Sequence, residues 1–261
     1  MSKLSPPPYV PPHDLLRGKH VLMTAAAGAG IGFATAQRCA EEGARLFISD
    51  IHEKRVEEAA GKLETISGRP VGRRLCNVTQ EADVRALVAA AIEEMGHVDV
   101  LINNAGLGGE VPVVDMADEQ WFGVIDVTLH SVFRMTRAIL PHMMERRAGV
   151  IVNNASVLGW RAQKGQAHYA AAKAGVMALT RCSALEAAEY GIRINAVSPS
   201  IAIHPFLVKT TPQALLDDLE AREAFGRGAE PWEVANVMVF LASDYASYMT
   251  GEVVSVSSQR A

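Results

Sequence analysis

The chain has 261 residues, 49 % of them apolar and 6 % aromatic, with a formal net charge of −4. That length fits one α/β domain able to bury a sizeable core. The mild negative charge leaves no electrostatic footprint for nucleic acid or an anionic membrane surface, and no apolar run reaches the ~18 residues a spanning helix needs.

Cys39, Cys76 and Cys182 are odd in number and lack paired spacing, so they read as reduced thiols of a cytoplasmic protein. The eight histidines show no metal-ligand spacing, and no metal is expected. Residues 1–17 form a separate tail ahead of a single domain over 18–261. The stretch from Met1 to His13 has no hydrophobic signal core. Its tract Pro6-Pro7-Pro8-Tyr9-Val10-Pro11-Pro12 favours extended backbone. A proline-motif ligand, a plain tail and a strap on a neighbouring subunit all remain open for it.

The domain begins with a short apolar strand, His20 to Thr24. Ala25-Ala26-Ala27-Gly28-Ala29-Gly30-Ile31-Gly32 follows and leads into an alanine-rich helix from Phe33 to Glu42. Strand, glycine loop and helix in that order form a dinucleotide-binding context, because glycines let the backbone approach a pyrophosphate at a helix N-terminus. A tight turn packed by small residues is the plainer alternative. The next strand, Arg45 to Ser49, ends at Asp50, where a carboxylate would accept hydrogen bonds from an adenosine ribose. Its charge would repel a 2′-phosphate, which favours NAD over NADP. Lys54 and Arg55 stand close enough to soften that preference, or simply line a solvated helix face.

Further along, strands at Val71–Cys76, Val100–Asn103, Val150–Asn153, Arg193–Val197 and Glu252–Val256 alternate with helices. The helices fall at Glu53–Ile66, Glu81–Met95, Asp118–Val127 continuing to Met144, Ala167–Glu189 and Trp232–Ala242. Right-handed crossovers on this pattern give one Rossmann-like, doubly wound parallel sheet of about seven strands with helices on both faces. Ligands then gather at the carboxyl ends of the strands. A helical stretch from Pro212 to Phe225 lies within a segment, about 199–228, that has the makings of a substrate lid.

The chemistry lies in Ser156, Tyr169 and Lys173. Tyr169 and Lys173 are four residues apart on one helix and so share a face. A free phenol titrates near ~10. A nearby lysine charge, with the positive ring of an oxidised nicotinamide, would stabilise the phenolate. One such pair ~4 Å apart at an effective dielectric of ~20 is worth roughly 4 kcal/mol, about three pKa units, which would make the phenol a working acid/base. A simple surface contact between the two is the alternative.

Taken together, these residues resemble the short-chain dehydrogenase/reductase family from about Lys19 onward. Asn103-Asn104-Ala105-Gly106 is similar to the family's fourth-strand motif, and Ser156, Tyr169 and Lys173 match its catalytic positions. The resemblance implies cofactor contacts from Thr24, Gly28, Gly30, Ile31 and Gly32 in the loop and from Asp50. It implies others from Asn77 and Val78, from Asn104, Ala105 and Gly106, from Tyr169 and Lys173, and from Pro199. Asn77 stands where the family usually has an acidic residue. The sequence departs from the pattern at three places. The loop looks one residue longer, so the roles of Gly28 and Gly30 are open. Thr128 stands where the family has a catalytic asparagine and would hold its relay water through the hydroxyl, with a rerouted relay as the alternative. Ser198-Pro199-Ser200 lacks the usual Pro-Gly.

The departures, with Val256 to Ala261, resemble one branch of the family, which acts on hydroxy-methylhexahydroindanone propanoyl-CoA in actinobacterial steroid breakdown. The branch implies a small-molecule CoA thioester substrate, a homotetramer built on the helices around Asp118–Met144 and Ala167–Glu189, and no nucleic-acid or membrane partner. Leu158 and Trp160 would wall an apolar ring, with ordinary loop packing as the alternative. Arg161, Lys164 and Lys209 would meet CoA phosphates or stand in solvent. A 3-oxoacyl-thioester reductase and a non-catalytic dinucleotide-binding protein are the competing functions.

Overall fold

The central strands are short apolar runs with both faces to bury, the edge strand from Gly72 to Leu75 is mostly exposed, and all seven strands lie in one sheet. The computed structural model describes residues 4–258, except the side chains of Phe206 and Thr210. Met1 to Lys3 of the tail and Gln259 to Ala261 of the C-terminal segment fall outside the described residues.

The elements run β1 (His20–Met23), α1 (Ile31–Glu41), β2 (Arg45–Asp50), α2 (Glu53–Ser67), β3 (Gly72–Leu75), α3 (Glu81–Met95), β4 (Val100–Asn103), α4 (Asp118–Ile125) and α5 (Ser131–Arg146). They continue through β5 (Gly149–Asn154), α6 (Ala167–Ala188), β6 (Ile192–Pro199), α7 (Pro205–Thr210), α8 (Gln213–Arg222), α9 (Pro231–Ala242) and β7 (Val253–Val256). The sheet order is β3-β2-β1-β4-β5-β6-β7, with every pair parallel. Strand order reverses between β1 and β4, and a crevice opens there at the carboxyl ends.

The two-residue period of a strand divides the core between the two faces. Val21 and Met23, Leu46 and Ile48, and Val100 and Ile102 point to one side, where Leu63 and Val239 from α2 and α9 meet them. Leu22, Phe47, Leu101 and Ile151 point to the other, against Leu87 of α3 and Ile139 of α5. Among the described residues, no helix is long and apolar enough to cross a membrane.

Three features differ from the sequence expectations. The helix expected to run unbroken from Asp118 to Met144 contains a π-helical turn over Asp126–His130. A short helix, α7, precedes α8 in the segment read as a lid. The tail is extended but lies against its own chain. The Arg38 guanidinium donates to Val10 O at 2.6 Å and Pro11 O at 3.1 Å, and it pairs with the buried Glu42 carboxylate at 2.6 Å. The Tyr9 ring stands edge-on to Trp232 at 5.3 Å, its hydroxyl bonds Glu41, and Leu4 N donates to Phe225 O.

Candidate active site

Asn104 ties the glycine loop to the sheet. Its backbone N–H donates to Thr24 Oγ1 at 3.1 Å, and its side-chain amide donates to Ala25 O at 2.9 Å. Ala25 itself has φ 51, the left-handed conformation that glycine adopts without strain. A β-carbon on Gly32 would fall 2.3 Å from Ala25 O and 2.5 Å from Asn104 Nδ2, so Gly32 is the position where the first turn of α1 meets the loop too closely for any side chain. Gly28 faces open space. Gly30 is the residue immediately before α1, whose first turn has no side-chain cap and no acidic residue. Gly28 thus has open space where a side chain would stand, and Gly30 forms the helix entrance, with Ile31 as the first helical residue.

Asp50 ends β2 and is almost fully buried. Its Oδ1 accepts from His52 N and pairs with Arg55 Nη2, each at 3.1 Å. Burial raises its pKa, while Arg55 and the backbone amides of Ala27 and Ile51 oppose that rise. Arg55 is thus a partner of Asp50, whereas Lys54 reaches only toward Glu58. Past β3, Asn77 accepts from Thr79 N and Thr79 Oγ1 through its side-chain oxygen, and Val78 is partly buried beside it.

A ladder of asparagines joins the middle strands. Asn103 donates to Asn153 at 2.9 Å, Asn153 to Thr180 Oγ1 at 2.9 Å, and Asn154 to Asn104 at 2.9 Å. The ladder fixes the ends of β4 and β5, from which Ala105, Gly106 and Ser156 extend. Ser156 Oγ accepts from Leu158 N at 3.2 Å and shares a hydrogen bond with the Tyr169 hydroxyl. Lys173, 2 % exposed, donates from Nζ to Asn154 O at 2.5 Å and lies 5.5 Å from the centre of the Tyr169 ring. Ser156, Tyr169 and Lys173 therefore meet at the carboxyl end of β5. Pro199 is buried at the corresponding end of β6.

Burial pushes the Tyr169 phenol up to about 12, with the Ser156 hydrogen bond pulling it down. Burial also pulls Lys173 down to about 7, because a buried ammonium loses its hydration.

The Thr128 hydroxyl accepts from Leu107 N at 3.0 Å and donates to Leu107 O at 3.1 Å, which clamps the loop after Gly106. Trp160 is 52 % exposed and Leu158 is partly buried at the cleft. Lys164 and Lys209 are exposed, while Arg161 is partly buried.

His204 escaped the sequence reading. It caps α7, with Nδ1 accepting from Leu207 N at 3.3 Å, and its ring lies against Gly30. No spacing signal pairs a histidine with a glycine so far away in sequence. The same is true of His20, His97 and Asp99 at the opposite end of the sheet, whose ligand-type atoms lie within 4.8 Å of one another. There the two imidazoles stack at 4.2 Å, and Asp99 already binds His20 N and Arg146, so the cluster reads as structural.

Known proteins share this arrangement. A family model described as enoyl-(acyl carrier protein) reductase, of the C2 short-chain type, matches residues 25–258. A Mycobacterium tuberculosis protein named (5R,7aS)-5-hydroxy-7a-methyl-1-oxo-2,3,5,6,7,7a-hexahydro-1H-indene-carboxyl-CoA reductase is 61 % identical over 97 % of each chain. A 3-oxoacyl-(acyl-carrier-protein) reductase of Thermotoga maritima is 39 % identical over 92 % of this chain and 97 % of its own. The crystal structure of a short-chain dehydrogenase from Mycobacterium smegmatis superposes with a TM-score of 0.88 at 57 % identity, covering 98 % of this chain and 99 % of the other. That of an NAD+-bound xylitol dehydrogenase does so with a TM-score of 0.89 at 30 % identity, covering 93 % and 99 %. With these matches spanning nearly its whole length, the chain belongs to the short-chain dehydrogenase/reductase family of oxidoreductases.

Proposed function

We propose that this oxidoreductase moves a hydride between NAD and a ring ketone or secondary alcohol on a bicyclic hydroxyindanone CoA thioester. The observation that carries the reading is the meeting of Ser156, Tyr169 and Lys173 at the carboxyl end of β5, on the same edge of the sheet from which the glycine loop leads into α1 and at which Asp50 ends β2. The substrate class is supported by the M. tuberculosis relative, and the acyl group is taken as its name gives it. Half-exposed Trp160, with Leu158 beside Ser156, offers an apolar wall for such a ring.

The residues fit a dinucleotide. The close approach at Gly32, the space over Gly28 and the uncapped α1 suit a diphosphate. Asp50 suits the two ribose hydroxyls and opposes a 2′-phosphate, although its Arg55 partner weakens that opposition. Asn104, Ala105, Gly106 and Pro199 would line the nicotinamide half, with Asn77 and Val78 at the adenine. When bound, the nicotinamide supplies or accepts the hydride.

The protein's share of the reaction is proton handling. In reduction, Tyr169 donates its phenolic proton to the carbonyl oxygen. Ser156, whose oxygen accepts from Leu158 N and whose hydroxyl lies beside the phenol, donates to the same oxygen and stabilises charge developing there. Lys173, held behind the phenol by Asn154 O, gains charge as the phenolate forms. Thr128 keeps Leu107 in place, and the loop with it.

The test follows reduced-nicotinamide absorbance with the hydroxyindanone CoA thioester, NADH or NADPH, and Tyr169→Phe beside the wild type. Turnover with NADH that falls roughly 10²–10⁴-fold in the variant, the usual weight of a general acid, is expected. Turnover of 3-oxoacyl thioesters with NADPH alone would refute both substrate and cofactor. The reading includes a homotetramer, supported by exposed Phe122, Phe133 and Leu185 on α4, α5 and α6. A monomeric mass in solution would refute it.

A further inference from the structure

A cavity of about 270 Å³ opens at the amino ends of β1 and β2, the end of the sheet opposite Ser156, Tyr169 and Lys173. Gly18, His20, Arg45, Arg69 and Pro70 line it. His20 is the first residue of β1, Arg45 the first of β2, and the two are partners in the strand register. Arg69 comes from the turn between α2 and β3. That turn is preset: Gly68 takes φ 66, Arg69 N donates to Ser67 Oγ at 3.2 Å, and the ring of Pro70 fixes its own backbone. The lining is basic and holds no carboxylate.

Neither guanidinium is neutralised. Arg45 Nη2 donates to Glu94 O at 2.8 Å, and Arg69 Nη1 to Gly43 O at 3.5 Å. These carbonyls orient the two side chains without cancelling their charge. Among the described residues no carboxylate pairs with either, and Glu64, on the last turns of α2, is taken by Arg73 and Val71 N. Two like charges facing one cavity repel, and an anion between them turns that repulsion into attraction. A guanidinium also presents several N–H donors in a plane matched to an oxyanion.

His20 adds a wall that titrates. Its Nδ1 can only donate to the His97 carbonyl, at 3.2 Å, so the neutral ring carries its proton there. Burial first, then His97, lowers its pKa, with Arg45 acting the same way and Asp99 opposing. Asp99 is already bound to His20 N and Arg146.

We propose that this cavity binds a doubly charged oxyanion, a phosphate or a phosphate ester, held between the Arg45 and Arg69 guanidiniums. An anion there favours the charged form of His20, so occupancy and proton uptake by that ring rise together. The site needs nothing from the dinucleotide reading.

Sulfate is the first probe, because it stays a dianion throughout the histidine range. Calorimetry at constant ionic strength, balanced with chloride, compares the wild type with the Arg45→Gln, Arg69→Gln double variant. Imidazole NMR follows His20, identified by His20→Gln. The double variant is expected to bind sulfate at least about 10-fold more weakly, the weight of one hydrogen bond to a charged group. Wild-type His20 should titrate at higher pH with sulfate present, a rise that the double variant lacks. Arg45→Lys with Arg69→Lys keeps both charges without the planar donors and should fall between the two, which separates the contact from a loss of fold. Inorganic phosphate against ribose 5-phosphate then distinguishes the sources: tighter binding of the ester means a phosphorylated small molecule, equal binding means the free ion, and either upholds the site. Undiminished sulfate binding in the glutamine variant overturns the proposal. So does sulfate binding with no response from His20, or binding that chloride abolishes at equal ionic strength, which would mean an adventitious ion only.

Discussion

Lys173 is buried to 2 % exposure with a single hydrogen bond, from Nζ to Asn154 O. Desolvation outweighs that bond, so the folded pKa is about 7 against 10.5 for a free lysine. Between those values the unfolded chain binds a proton that the native protein does not, and stability rises with pH across that window. Lys173→Met should therefore raise the melting temperature at pH 7 by several degrees, since ~1 kcal/mol corresponds to roughly 2–4 °C in a chain of this size. It should also flatten the rise between pH 7 and 10 while lowering turnover about 100-fold or more. Thermal scans at three pH values check this. A variant that melts lower than the wild type at pH 7 would mean that the bond to Asn154 outweighs the buried charge. The cost is tolerated because the charge is wanted when the phenolate forms, a pattern common at sites that handle protons.

The elements were legible wherever one physical signal dominates. Runs such as Val100-Leu101-Ile102 are buried on both faces, and their strand boundaries fell within two residues of those observed. Ser156, Tyr169 and Lys173 were found because helical periodicity and strand ends are local properties. The π-helical turn at Asp126–His130 was not, since one extra residue in a helix leaves the apolar period nearly unchanged. Nor was α7, six residues long and shorter than the window in which periodicity shows. The proline tract announced its extended backbone but not its partner. That partner is Arg38, a charged residue on α1 whose burial depends on carbonyls 27 and 28 residues away. The burial that raises the Tyr169 phenol was not legible for the same reason: the spacing gives its neighbour, while the desolvation comes from the whole fold. Contacts between distant segments, His204 on Gly30 among them, have no period to read.

Lys173 and the histidines whose pKa is lowered by burial act in two different pH windows. Lys173 acts above pH 7 and contributes no slope below it, where both states are protonated. Below pH 6.5 the histidines take over. His20 and His142, at the amino end of the sheet, and His204 on the lid segment all have pKa values lowered first by burial. Around the first two stand His97, Asp99 and Arg146, and Arg45 also opposes a charge on His20. A depressed histidine pKa means that the unfolded chain takes up protons first as the pH falls through about 6.5, so stability is lost from there down to the folded value. Each such group contributes at most about 1.4 kcal/mol per pH unit, and less here because the rings keep part of their hydration. Asp99, whose pKa is lowered, keeps its stabilising bonds until the pH falls below the usual carboxylate range and does not enter this window. The melting temperature should accordingly hold between pH 6.5 and 7 and fall by a few degrees between pH 6.5 and 5. His20→Gln with His142→Gln should remove most of that fall, because glutamine can still donate or accept locally without titrating. If the double variant remained as acid-labile as the wild type, the two histidines at the amino end would not be the source, and His204, also lowered by burial, would be the next to substitute.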